Sequence, residues 1–328
     1  MNQHHAPAQT GWKGETYYDL PALKYPHWDW KVSGYIAVAG TAGAAQALVT
    51  AASLRDAQLL RPARRGARLM ALMGTAAGAA MLIADLKTPQ RFYNMLRILR
   101  PTSPMSFGTY IFGGFGATSL MSTLNDLPAT RRQRPLRLIG KGGQIGSALS
   151  GAGIATYTAA LLSATSNPYW AAAPRALGVN FAGGAAAMGA AALALWERFG
   201  GRDDTARGFE KVAAAATLTH LGARIATDKR LKETGVTDTI ADTAPQRRLN
   251  AATWLVAGAL PLLGYAAGVA VSGRRGRGAA IAGSCAVLVG GMMMRHGMLE
   301  VGKAATEQPE AGFALAQPSG EGRKDNGS

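Results

Sequence analysis

Asp85 is the residue whose type and setting best suit proton transfer. It ends the apolar run Leu82-Ile83-Ala84-Asp85-Leu86-Lys87-Thr88-Pro89, with Arg91, Phe92, Tyr93 and Asn94 just beyond. Lys87 and Arg91 favour its ionised form and partial burial opposes it. A carboxylate in that balance can serve as a general base. The structural alternative is an interfacial carboxylate paired with Lys87 or Arg91. Tyr157 stands inside a second apolar run and carries a phenol that needs a partner when buried. Arg295 and His296 close a third run, and Tyr17 and Tyr18 lie in an aromatic-rich N-terminal stretch. Ionisable groups at the end of long apolar runs are functional candidates by default when the runs cross a membrane.

The elements that must carry these residues are transmembrane helices. Apolar Ala/Gly/Leu segments alternate with dense Arg clusters, so a mean hydropathy of +0.03 hides strong segregation. About eight spans are expected, at roughly 32–54, 66–86, 105–124, 142–164, 176–197, 208–226, 250–271 and 278–298. Glu210, Lys211, His220 and Arg224 interrupt the sixth. Backbone groups in lipid must be satisfied within a segment or a closed barrel, and no alternating strand pattern is present, so an all-α integral membrane protein follows, with two four-helix bundles as its expected form. The expected layout is an N-terminal segment over 1–31, a membrane domain over 32–305 and a disordered tail over 306–328. The N-terminus lacks the pattern of a cleaved signal peptide, so the first span is expected to direct insertion. Small-residue spacings such as Gly40 to Gly43 and Ala44, Gly74 to Gly78, Gly142 to Gly146 and Gly264 to Gly268 point to close helix packing.

The net charge of +16 is carried by short basic clusters between apolar runs, without a nucleic-acid-binding motif. Odd-numbered loops hold Arg55, Arg61, Arg64 and Arg65, then Arg131, Arg132, Arg134 and Arg137, then Arg198, Arg202 and Arg207, then Arg274, Arg275 and Arg277. Excess positive charge marks the cytoplasmic side, which puts both termini in the periplasm. Asp85, Tyr157 and Arg295 then share one half of the membrane with Tyr17 and Tyr18. Trp170 reads as an interfacial belt residue. Cys285, the single cysteine, reads as a small buried residue and cannot hold an iron–sulfur cluster. No CxxCH is present, and His220 and His296 stand on different spans at different depths, so no haem or metal is expected in this chain.

Four runs carry a family resemblance: TYYDLPALKYPHWDWKVSGY, LIADLKTPQRFYNMLRILRPTSPMSFGTYIFGGFG, YTAALLSATSNPYW and MMMRHGMLEVG. They resemble the NrfD/polysulfide reductase family of membrane anchor subunits, and the second is the most specific. The resemblance covers almost the whole chain except the tail. It implies a quinone-reactive subunit of a respiratory oxidoreductase in the bacterial inner membrane. Menaquinone or ubiquinone would be held by Tyr17, Tyr18, Arg91 and Arg295, with Asp85 accepting its protons and the catalytic Tyr157 hydroxyl holding a quinone carbonyl. It further implies electron exchange with an iron–sulfur partner subunit, and through that with a catalytic, molybdopterin-type subunit. This chain would then not act on the terminal substrate itself. The competing readings are a transporter or proton channel, and a purely structural anchor.

Overall fold

The computed structural model describes residues 23–97, 100, 102–127 and 133–316. Eight long helical segments run through them. They are α1 (Trp30–Ala52), α2 (Arg61–Asp85), α3 (Pro104–Ser122), α4 (Arg134–Ser163), α5 (Pro174–Phe199), α6 (Asp203–Glu233), α7 (Ala244–Ala270) and α8 (Gly273–Thr306). Six of these, all but α3 and α6, are long and apolar enough to cross a membrane. The expected count of about eight spans is therefore not reached on apolarity, although each expected span coincides with a long helix. In α3, Gly, Ser and Thr dilute the apolar residues; α6 carries acids and bases along its length. A short helix, Pro309–Ala316, occupies the start of the expected tail.

Local chemistry sets the helix starts. The Asp29 side chain caps α1 by accepting from the Lys31 backbone N–H at 2.8 Å. Proline stands in the first turn of α2, α3, α4, α5 and α7, where its missing N–H removes no helical bond. The middle of α7, Ala252–Ala259, is a π-helix. Pro261 follows it and brings no N–H to the carbonyl one turn back, which fits a widened turn at that point.

Helices α1–α4 contact one another in a ring, and so do α5–α8. These are the two expected four-helix bundles. They join where α1 and α4 meet α5 and α1 meets α8. Small residues fill the interior and large apolar ones face outward, as lipid solvation permits. Ala39, Ala45, Ala190 and Ala194 are fully buried, while Leu149, Leu218, Leu263 and Val289 are exposed. Cys285 also points outward, contrary to the expected burial, because the inward side of that turn is taken by Gly283, Ser284 and Val287.

The tightest joint between α1 and α4 is backbone on backbone. A Cβ added to Gly43 would lie 2.5 Å from the Gly151 carbonyl oxygen, and one on Gly151 would lie 2.6 Å from that of Gly43. Gly264 packs on the Gly283 backbone in the same manner, Gly74 packs on the Ala42 methyl, and Gly142 faces open space. Thus some of the sequence spacings mark crossings and others do not.

At the end where the chain enters α1, Trp28 stacks on Trp170 with ring centroids 5.5 Å apart. The Trp170 indole N–H donates to the Met298 carbonyl at 3.1 Å, and its ring fills the place a side chain at Gly302 would need. Trp170 is 1% exposed, so the expected belt role is corrected: it is a core residue binding the 164–173 connection to α8. Trp170→Ala should lower stability by about 3–5 kcal/mol. The check is a lower thermal midpoint of the purified protein in detergent; an unchanged midpoint would contradict this packing role.

Candidate functional site

Two polar pairs flank the first turn of α1. On the α2 side, the Lys31 ammonium donates to Asp85 Oδ1 at 3.1 Å and also pairs with Asp29. Lys31 and Asp85 are each 25% exposed, so the pair is shielded without being sealed. The hydrogen bond from Lys31 holds the Asp29 carboxyl below the usual carboxylate range. The partner of Asp85 is thus Lys31, fifty-four residues away in sequence, and not the neighbouring Lys87 or Arg91.

On the α8 side, Ser33 Oγ lies 3.2 Å from His296 Nδ1. Ser33 Oγ also donates to the Trp30 carbonyl at 3.0 Å. Serine has one proton to give, so with it on Trp30 the contact to His296 requires Nδ1–H as donor. His296 Nε2 then keeps its lone pair, on a residue whose side chain is exposed at the bundle surface.

Between the two pairs, α1 presents Gly34. A Cβ there would meet Met81 Sδ at 3.0 Å from α2 and Met292 Cε at 3.7 Å from α8. Each Met stands four residues before the polar group on its own helix, Met81 before Asp85 and Met292 before His296. The two thioethers fill the furrow that α1 leaves over Gly34 between α2 and α8, with the polar groups at its end. Trp30, 60% exposed, stands at that end. Methionine side chains are unbranched and re-pack readily, so such walls can admit a flat apolar ring. A lysine donor, a carboxylate and an imidazole lone pair together can bind a carbonyl and take protons from a hydroxyl.

The other expected site residues are placed separately. The Tyr157 hydroxyl donates to the Pro104 carbonyl at 2.6 Å, and its ring packs against Gly108 at the start of α3. Its proton is therefore engaged, while its lone pairs remain. Arg91 sits on an exposed turn, Pro89–Arg91, beyond α2. Arg295 is 1% exposed and points into the second bundle, away from the furrow that its neighbour His296 faces. Tyr17 and Tyr18 lie outside the described residues. The structure thus brings Asp85 to the α1 entry but does not join it to Tyr157 or Arg295 through a hydrogen bond or ion pair among those residues. Sequence reasoning missed Lys31 and weighed His296 only as a haem ligand. The signal for Lys31 was present in Asp29-Trp30-Lys31, a charged step at the mouth of the first apolar run.

Among the described residues no three His, Cys, Asp or Glu side chains gather into a metal-binding group. A family model described as polysulphide reductase, NrfD, matches residues 22–306. None of the curated proteins matches the chain.

Proposed function

We propose, from the premise that this chain belongs to the polysulphide reductase NrfD family, that the furrow over Gly34 is a quinol/quinone site. Family membership makes the chain a multi-pass membrane subunit of a polysulphide-reductase-like oxidoreductase complex. The finer reading rests above all on the grouping of Lys31, Asp85 and His296 around the methionine-filled furrow over Gly34. A quinol carries two electrons and two protons, and the electrons would pass to an iron–sulfur partner subunit and then to a catalytic, molybdopterin-type subunit. Lys31 is suited to hold a carbonyl oxygen and Asp85 to accept a proton from a hydroxyl. His296 Nε2 supplies a second acceptor across the furrow. Met81 and Met292 exclude water from the ring. Tyr157 steadies the start of α3 through Pro104. The complex would lie in the bacterial inner membrane with both termini in the periplasm, which puts the furrow's polar end near the periplasmic surface.

The test is the quinone content of the purified complex. Lipid extraction should recover close to one quinone per chain. His296→Gln should lower quinol-linked turnover about tenfold, mainly through kcat, by weakening one proton acceptor. Recovery of no quinone, together with full turnover in His296→Gln, would remove this site. A reporter fused after Arg134 should read as cytoplasmic and one at the C-terminus as periplasmic; the reverse pattern would overturn the orientation.

A further inference from the structure

Residues 86–125 hold four cations, Lys87, Arg91, Arg97 and Arg100, and no acid. All four cations are exposed. Among the described residues none of them pairs with a carboxylate. Basic residues at the other ends of the helices are neutralised within the chain. Arg65 pairs with Asp126, Arg198 with Glu210, Arg202 with Glu197 and Arg207 with Asp204. The segment that carries the four free cations is tied down. The Tyr110 hydroxyl donates to the Leu96 carbonyl at 2.9 Å, and the Arg100 backbone N–H donates to Ser106 Oγ at 3.1 Å. A short helix, Tyr93–Arg97, lies within it, and Phe92, Tyr93 and Leu96 are exposed beside the cations.

This shelf joins the ends of α2 and α3, so it lies where hydrocarbon gives way to headgroups. Aromatic side chains favour that layer, and guanidinium groups bind phosphate through paired hydrogen bonds. The apolar surface also continues down α3. Phe107 and Tyr110 are exposed, and a Cβ added to Gly113 or Gly114 would meet nothing within 4 Å. The helical rise puts Gly113 about 14 Å below the first residue of α3. Helix α3 lies against α2 and α4, both long and apolar enough to cross a membrane, so this open track stands at the depth of acyl chains. A protein docking from water would use the cations but not the track. A lipid uses both.

We propose that the shelf between α2 and α3 binds an anionic phospholipid. Arg97 and Arg100, held against α3 by the Tyr110 and Ser106 bonds, receive its phosphate. One acyl chain lies along Tyr110, Gly113 and Gly114. The site does not depend on the quinol reading, because none of these residues lies in the furrow. It does not depend on orientation either, because both leaflets carry phospholipid.

The test is lipid binding to the purified full-length protein in detergent, read by native mass spectrometry. Phosphatidylglycerol is compared with phosphatidylcholine of identical acyl chains. The wild type should bind the anionic lipid about tenfold or more tightly. Arg97→Gln combined with Arg100→Gln should abolish that preference without changing Tm in plain detergent, because both side chains are exposed and unpaired. Arg97→Lys with Arg100→Lys should keep most of it. Excess inorganic phosphate should not displace the lipid, since it has no acyl chain. Phosphatidylglycerol with a photoreactive acyl chain should crosslink to the α3 peptide that contains Gly113. Equal binding of the two lipids, a preference unchanged in the double glutamine variant, displacement by phosphate, or crosslinks elsewhere alone would overturn the proposal. So would loss of a partner subunit from the double glutamine complex with lipid binding intact, which would make the shelf a protein interface.

Discussion

Asp85→Asn should reduce quinol-linked electron transfer by about a hundredfold or more while leaving the assembled complex intact. The substitution keeps size and hydrogen-bonding capacity but cannot accept a proton at neutral pH. Folding is expected to tolerate it, because Lys31 keeps Asp29 as a partner and a partly exposed ion pair contributes only about 0–1 kcal/mol. Lys31→Met separates the two halves of the pair. It leaves a base in place without its donor, so it should raise KM more than it lowers kcat. Steady-state oxidation of a soluble quinol analogue by the purified complex, with partner content checked on the same sample, reads both variants. Full turnover in Asp85→Asn would make the carboxylate a structural partner of Lys31 and nothing more.

Gly43→Ile should prevent the two halves of the first bundle from assembling, and Gly151→Ile should do the same. At some crossings, Gly66 on Trp196 and Gly291 on Met188 among them, an added methyl meets a side chain that can change rotamer. Here it meets the carbonyl and Cα of the opposing glycine, at 2.5 and 2.9 Å for a Cβ on Gly43. Relief requires moving a whole helix, and α1 also carries contacts to α2, α5 and α8. Ordinary overpacking costs about 1–3 kcal/mol, and a backbone clash at a shared helix exceeds that against a total stability of about 5–15 kcal/mol. Gly142→Ala serves as the control, since nothing lies within 4 Å of its added Cβ. Size-exclusion profiles of detergent extracts should show folded protein for Gly142→Ala and aggregate or no protein for the two isoleucine variants. A monodisperse Gly43→Ile protein would show that α1 and α4 do not cross as described.

These two predictions draw differently on the sequence. Asp85 was legible because an acid at the end of a long apolar run is rare and costly. Its partner was not, because Lys31 reaches it only after α1 and α2 fold back on each other. Gly43 sat in a conspicuous small-residue stretch, but so did Gly142, and spacing alone does not say which face of a helix meets another. The same limit explains Arg295 and His296. They are neighbours in sequence, and a helix turns about 100° between them, so one enters the core and the other the furrow. The positions of the long helical segments followed from the spacing of apolar runs, whereas which helices pack together as a bundle does not follow from spacing. The shortfall of α3 and α6 in apolarity came from composition that a protein interior tolerates more readily than lipid does.

Helix α6 bears on how the chain is made as well as on how it stands. Its inward side carries Glu210, His220 and Arg224, all buried, and each has a partner on another segment. Arg198 and Asn180 on α5 and Asn250 on α7 are among them. A segment of this kind leaving the translocon alone would enter the bilayer with its charges bare. It has to remain beside the exit channel until α5 is paired with it as a hairpin, and to wait for α7 before Arg224 is fully satisfied. If α6 spans the membrane, its insertion is therefore expected to be late and assisted. A nascent chain truncated just after residue 233 should stay crosslinkable to the translocon, whereas one extended through α7 should be released into lipid.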